Sequence, residues 1–211
     1  MDRAVRWIGL LCLTTAALVL VSPARGVGGR YTIDGGTARE QAQVRGSLDT
    51  SSFDWSVLPT PITIEIARGQ GSYAVPGKIL LDADLLDAGR FSWGVVQHEF
   101  AHEVDFLLLD DADRTRLQAV LGGLSWFPSG GLAHGLLTCE RFASTLAWAY
   151  WPTPDNVMRP TSSEDEAGSV PPAAFRALLA NILRAHEIDT VSIEKSGQNL
   201  LFPFVADHAY R

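Results

Sequence analysis

The chain has 211 residues, long enough for one domain with a substantial core. With 46% hydrophobic and 19% charged residues it has the composition of a folded protein, not a disordered one. Its net charge of -7, with no basic stripe and no Gly-rich phosphate loop, argues against a nucleic-acid partner, because phosphate backbones are bound by Lys and Arg.

The first residues have the layout of a secretory signal peptide. Arg3 and Arg6 make a positive start, Trp7 to Val21 is almost wholly apolar, and Ser22-Pro23-Ala24 offers small residues for cleavage after Ala24. The apolar run of 15 residues is short for a membrane span, which needs about 20. The expectation is therefore a signal peptide over 1–24 and a secreted or extracytoplasmic protein without a stable membrane partner, the alternative being an uncleaved anchor. Of the two cysteines, Cys12 leaves with this segment. Cys139 then stands alone, so no internal disulfide is expected and Cys139 reads as a small core residue.

Residues 25–56 are rich in Gly, Ser, Thr and Asp, show little periodicity and read as a linker or flexible arm. The alternating run 61–66 (PITIEI) predicts a strand with one buried face, and 78–81 (KILL), after Pro76-Gly77, predicts a second. Helical spacing of Trp93, Val96, Phe100, Val104 and Leu107 predicts a helix over 93–109 with Ser92 as N-cap. Further helices are expected over 111–121, stopped by Gly122-Gly123, over 136–151, closed by Pro152 and Pro154, and after Pro171-Pro172. The acidic run Glu164, Asp165, Glu166 reads as a solvated loop, and the aromatic tail 200–211 as a docked end. Strands first and helices after predict an α+β fold: a small N-terminal sheet packed on a helical subdomain, together spanning 57–211.

The chemistry concentrates in His98-Glu99-Phe100-Ala101-His102, an H-E-x-x-H motif. Side chains four apart on a helix lie one turn above each other, so both imidazoles can grip one ion. Zinc takes neutral imidazole nitrogen well and favours four ligands. Glu99 sits where such motifs carry the general base for a metal-bound water. For a chain with 5 His and 9 Glu the chance expectation of this pattern is roughly 0.005.

A catalytic site needs a third protein ligand. A third histidine in the metzincin arrangement would fall at Leu108, with Asp105 where the intervening Gly belongs, so that arrangement fails. Glu140 is the stronger candidate, because Phe142, Ala143, Leu146, Ala147 and Tyr150 give its helix an apolar face able to pack on the motif helix. Asp105 shares the histidine face and either orients a ring through its free nitrogen or is a plain helix charge. His134 and His208 read as loop residues without a catalytic role, and His186 as a partner for a helix C-terminus.

The motif, followed 38 positions after His102 by Glu140 in the run Glu140-Arg141-Phe142-Ala143, resembles the gluzincins, the thermolysin-like zinc peptidases, and above all their smallest members, the minigluzincins. The resemblance covers roughly residues 60–151. It implies zinc held by His98, His102 and Glu140, Glu99 as base and acid, a peptide or protein substrate, and a substrate-binding sheet edge formed by the strand that precedes the motif helix. Ser144 departs from the pattern, since that position carries an Asp that orients a ligand histidine. The residue assisting the oxyanion is open among Tyr150, Tyr73, His134 and His208. Two other readings stand beside the peptidase: a zinc module in which the metal only staples the fold, and a secreted binding protein on a peptidase-like scaffold.

Overall fold

A computed structural model describes residues 29–128 and 130–196, with side chains to residue 186. The signal segment 1–24, Cys12 and the tail 200–211 with His208 lie outside the described residues. Among the described residues no helix is long and apolar enough to cross a membrane.

Four strands come first: β1 (Tyr31–Gly35), β2 (Ile62–Ala67), β3 (Tyr73–Val75) and β4 (Lys78–Asp82). The helices are α1 (Ala38–Thr50), α2 (Ala83–Asp87), α3 (Trp93–Leu108), α4 (Asp111–Leu121), α5 (Thr138–Tyr150) and α6 (Pro172–Ser196). The fold is α+β, a mixed four-stranded sheet followed by a mainly helical region. Strand order is β1-β2-β4-β3, with β1, β2 and β4 parallel and β3 antiparallel to β4. β2 is central because it buries Ile62, Ile64 and Ile66, and Ile64 lies in register with Ile79 of β4.

The expected linker over 25–56 is corrected by β1 and α1. β1 pairs with β2 from Tyr31↔Ile62 to Gly35↔Ile66, and α1 buries Val44 and Leu48 in the core. Helix α1 starts in a capping box: Thr37 Oγ1 accepts from Glu40 N at 3.3 Å and Glu40 Oε2 from Thr37 N at 2.6 Å. Gly46 lets α1 come close to α3, since a Cβ there would stand 2.9 Å from the Trp93 ring. Polar contacts then knit the two helices: Trp93 Nε1 donates to Gln43 Oε1 at 2.8 Å and Gln97 Nε2 to Ser47 O at 2.9 Å. Residues 31–50 thus belong to the folded body, which does not start at 57.

Helix α3 follows directly on a 3₁₀ turn (Gly89–Ser92), so Ser92 does not cap it; its Oγ donates to Gly89 O at 2.7 Å. Gly94 and residues 96–105 are all buried, which makes α3 the central helix, with α1 and β3 against it and α5 as its main partner. The α5 face of Phe142, Ala143 and Leu146 is fully buried, as expected from its sequence. Helix α4 caps itself through Asp110 and Asp113, and Gly122 at φ 76° ends it. His186 lies inside α6 rather than after a helix, with Nε2 2.5 Å from Asp113 Oδ2. Asp110, Asp113 and His186 thus form a cluster with metal-compatible spacing, but both carboxylates already serve the α4 cap.

Candidate metal centre

Helices α3 and α5 place the donors. One helical turn separates His98 from His102, and both are buried. Glu140 stands in the first turn of α5, whose free N–H groups dock on the loop before it: Thr138 N donates to Ser125 O at 2.7 Å and Cys139 N to Trp126 O at 3.2 Å. The α3–α5 packing brings His98, His102 and Glu140 into one cluster. His98 Nε2 lies 3.1 Å from His102 Nε2 and 3.1 Å from Glu140 Oε2, and His102 Nε2 lies 3.3 Å from the same oxygen. Ligand atoms 2.0–2.1 Å from a tetrahedral ion stand about 3.3–3.4 Å apart. Two imidazole nitrogens and a carboxylate oxygen converging at this spacing therefore fit one divalent cation.

The triad lines a cavity of about 430 Å³. Glu99 lines it too, as do residues 72–75 of the β3 edge, and Phe106, Phe127, Pro128 and His134 on other sides. The strand preceding the motif helix is β4, but β4 is interior; the edge beside the cavity is β3. That expectation shifts by one strand because β3 folds back outside β4 through the Pro76-Gly77 turn. Glu103 on α3 secures this turn, its Oε2 accepting from Gly77 N at 2.8 Å, and burial pushes its carboxyl up to about 7. A second cavity of about 440 Å³, lined by Arg90, Phe91 and residues 154–157, holds none of these groups.

Asp105 does not touch a histidine ring. It is fully buried, with Oδ1 accepting from Arg114 Nε at 2.9 Å and Oδ2 from Trp126 Nε1 at 2.9 Å. Its carboxylate ties α4 and the Trp126 loop to α3. Ser144 Oγ occupies the orienting position instead, 3.1 Å from His98 Nδ1. The same Oγ is 2.6 Å from Glu166 Oε2, and Glu166 Oε1 is 2.7 Å from His134 Nδ1. His134 Nε2 reaches Glu140 Oε2 at 3.0 Å. Sequence reasoning missed Glu166 and set His134 aside; nothing local marks Glu166, whose partners Ser144 and His134 lie 22 and 32 positions away. Of the residues open for the oxyanion role, Tyr73 and His134 line the cavity, whereas Tyr150 packs edge-on to Phe53 at 5.0 Å. Cys139 is buried as expected and borders the cavity.

Arg141, the residue after Glu140, fixes the surrounding loops. Its Nε donates to Leu121 O at 2.6 Å, Nη1 to Gly135 O at 3.2 Å and Glu164 O at 3.3 Å, and Nη2 to Asp165 O at 3.4 Å and to Ser169 Oγ. The segments carrying His134 and Glu166 are thus pinned to the helix that carries Glu140.

The electrostatics are those of a tight acid–base cluster. Burial raises the Glu99 carboxyl, the flanking histidines only partly opposing it. Burial also works to raise Glu140, but hydrogen bonds from His102, His134 and His98 outweigh it and hold its carboxyl below the usual range. Burial works to lower His102, yet Glu140 raises it overall. Glu140 and Glu166 together push His134 up to about 10. Negative charge on Glu140 is thereby maintained beside the two buried imidazoles.

No protein-family model, curated protein or solved structure matches this chain.

Proposed function

We propose that this chain is an exported zinc-dependent hydrolase that cleaves peptide bonds, a gluzincin-like peptidase of minimal size. The observation that carries the reading is the convergence of His98 Nε2, His102 Nε2 and Glu140 Oε2 within 3.1–3.3 Å in a cavity that Glu99 also lines. A closed structural site has no reason to open on a cavity; a catalytic one keeps a position for water and substrate. His98, His102 and Glu140 would hold the zinc, which would supply Lewis acidity and acidify a water when bound. Glu99 would serve as general base and then acid, moving a proton from water to the leaving amine. The outer edge of β3 offers backbone groups to which an extended peptide adds as a further strand. His134, held through Nδ1 by Glu166, stands at the cavity with Nε2 on Glu140 Oε2 at 3.0 Å, where it steadies that carboxylate. Export rests on the charged start and apolar run of residues 1–24, and the net charge of -7 favours no nucleic-acid partner.

Glu99→Gln tests the reading, since it keeps size and most hydrogen bonds but accepts no proton. The variant is expected to hold zinc like its parent while peptide cleavage falls on the order of 100–10,000-fold. Zinc content and cleavage of a mixed peptide library are measured side by side. Equal cleavage by both proteins, or a parent that takes up no zinc after reconstitution, defeats the proposal.

A further inference from the structure

We infer that Glu166, acting through the Ser144 hydroxyl, is the carboxylate that positions His98 as a ligand, in place of a carboxylate on α5 itself. The inference rests on the reading of the triad as a metal site. A hydroxyl has one hydrogen to donate and lone pairs to accept with. Ser144 Oγ stands between two partners, Glu166 Oε2 at 2.6 Å and His98 Nδ1 at 3.1 Å; Met158 Sδ, at 3.5 Å, is a weaker acceptor. An ionised carboxylate can only accept, so the serine hydrogen goes to Glu166. The oxygen is left as an acceptor for His98 Nδ1–H. That sets the His98 tautomer and leaves a lone pair on Nε2, the atom that meets His102 and Glu140. Without the carboxylate the same serine can donate to Nδ1 instead. The proton then sits on Nε2, where it blocks ligation.

The placement is built into the fold. Ser144 is one helical turn beyond Glu140 on α5 and is 1% exposed. Glu166 is carried by a loop whose carbonyls Arg141 holds, and Thr145 Oγ1 donates to Glu166 O at 3.4 Å. Its second oxygen accepts from His134 Nδ1 at 2.7 Å, so one carboxylate orients histidines on two sides of the cavity. Glu166 is a positioning residue, since it meets the donor atoms only through others.

The test measures zinc affinity by competition with a chromophoric chelator, on the parent, Ser144→Ala, Glu166→Ala, the double variant, and Glu166→Ala carrying Ser144→Asp. Each single change is expected to weaken zinc binding about 10–100-fold. The double variant is expected to lose little more than the worse single one, because both break one relay. Ser144→Asp is expected to restore most of the affinity, since it puts a carboxylate directly on His98. Melting curves of the metal-free proteins show that each variant folds. In parallel, nitrogen-15 NMR of the metal-free proteins at alkaline pH reads the His98 tautomer, expected as Nδ1–H in the parent and shifted toward Nε2–H in Glu166→Ala. Parent-like affinity and tautomer in Glu166→Ala, or additive losses without rescue by Ser144→Asp, overturn the inference. A parent that binds no zinc defeats the metal reading instead, and the tautomer measurement still decides this one.

Discussion

Replacing Asp105 separates two roles that a carboxylate on the helix of the histidine pair can play. Its side chain gives one bond of 2.9 Å to Arg114 Nε and another of 2.9 Å to Trp126 Nε1, both in the interior. In Asp105→Ala the indole N–H loses its acceptor, a loss of about 1–3 kcal/mol. Arg114, only 17% exposed, keeps Asp111 and the Asp105 carbonyl but loses its buried counter-charge, worth about 1.5–3 kcal/mol. Together these predict destabilisation of about 3–5 kcal/mol, the range for breaking a buried ion pair. Asp105→Asn keeps one acceptor and turns an amide N–H₂ toward the other donor, so it should fall between parent and Asp105→Ala. Urea unfolding of chelator-treated protein measures both, and zinc titration of the folded variants should show affinity within a few-fold of the parent. In a Trp126→Phe background no indole N–H remains to strand, so Asp105→Ala should cost at least about 1 kcal/mol less. An Asp105→Ala variant that unfolds like the parent yet binds zinc 10–100-fold more weakly would refute this account and return Asp105 to the histidines.

Gly94→Ala should destabilise by about 1–3 kcal/mol in denaturant titrations despite the better helix propensity of alanine, because the added Cβ runs into Asn156 Oδ1. Asn156 cannot yield easily, being bound to Ala147 O at 2.9 Å, Trp151 O at 3.0 Å and Met158 N at 2.9 Å; a more stable variant would contradict this packing. Zinc at 100 times its dissociation constant should stabilise the fold by about 2.7 kcal/mol, chelator should remove that gain, and His98→Ala should abolish it; a melting temperature indifferent to both speaks against a metal site. Asp165 accepts bonds from Thr161 and Ser162, the Thr161 main chain above all, which lower its carboxyl to about 2. A folded value below the ordinary one means that its contribution is complete above about pH 3.8 and lost as pH falls through 2. The stability advantage of the parent over Asp165→Asn should therefore be present at pH 5, shrink toward pH 2 and be gone below it; a constant difference in acid unfolding curves would contradict it.

Local signals were legible in the sequence, and contacts between distant segments were not. Helix α4 runs over the expected 111–121, and β2 and β4 lie where alternation and the Pro76-Gly77 turn put them, because caps, turns and apolar period are short-range facts. The donors on α3 and α5 followed from one motif and one apolar helix face. Helix α1 escaped because Val44 and Leu48 are its only buried large apolar residues, although Thr37 and Glu40 carried a readable capping box. At three residues, β3 is too short to show a period. His98, Ser144, Glu166 and His134 meet across 22 to 46 positions of chain, and only the packing of α3, α5 and the loops brings them together. The acidic run illustrates the limit: Glu164 stays in solvent as composition suggests, while Glu166, two residues on, turns inward.

The Arg141 clamp has a consequence for how the segments around the triad can change over generations. Four of its five acceptors are main-chain carbonyls, at Leu121, Gly135, Glu164 and Asp165. A guanidinium that grips carbonyls is blind to the side chains those residues bear. Placement of these segments is thereby uncoupled from their composition. Mutational drift can rewrite their side chains while the three donor atoms beside them keep their arrangement. Substitution of Arg141 itself has no such latitude, because it would release the segments bearing His134 and Glu166 in one step.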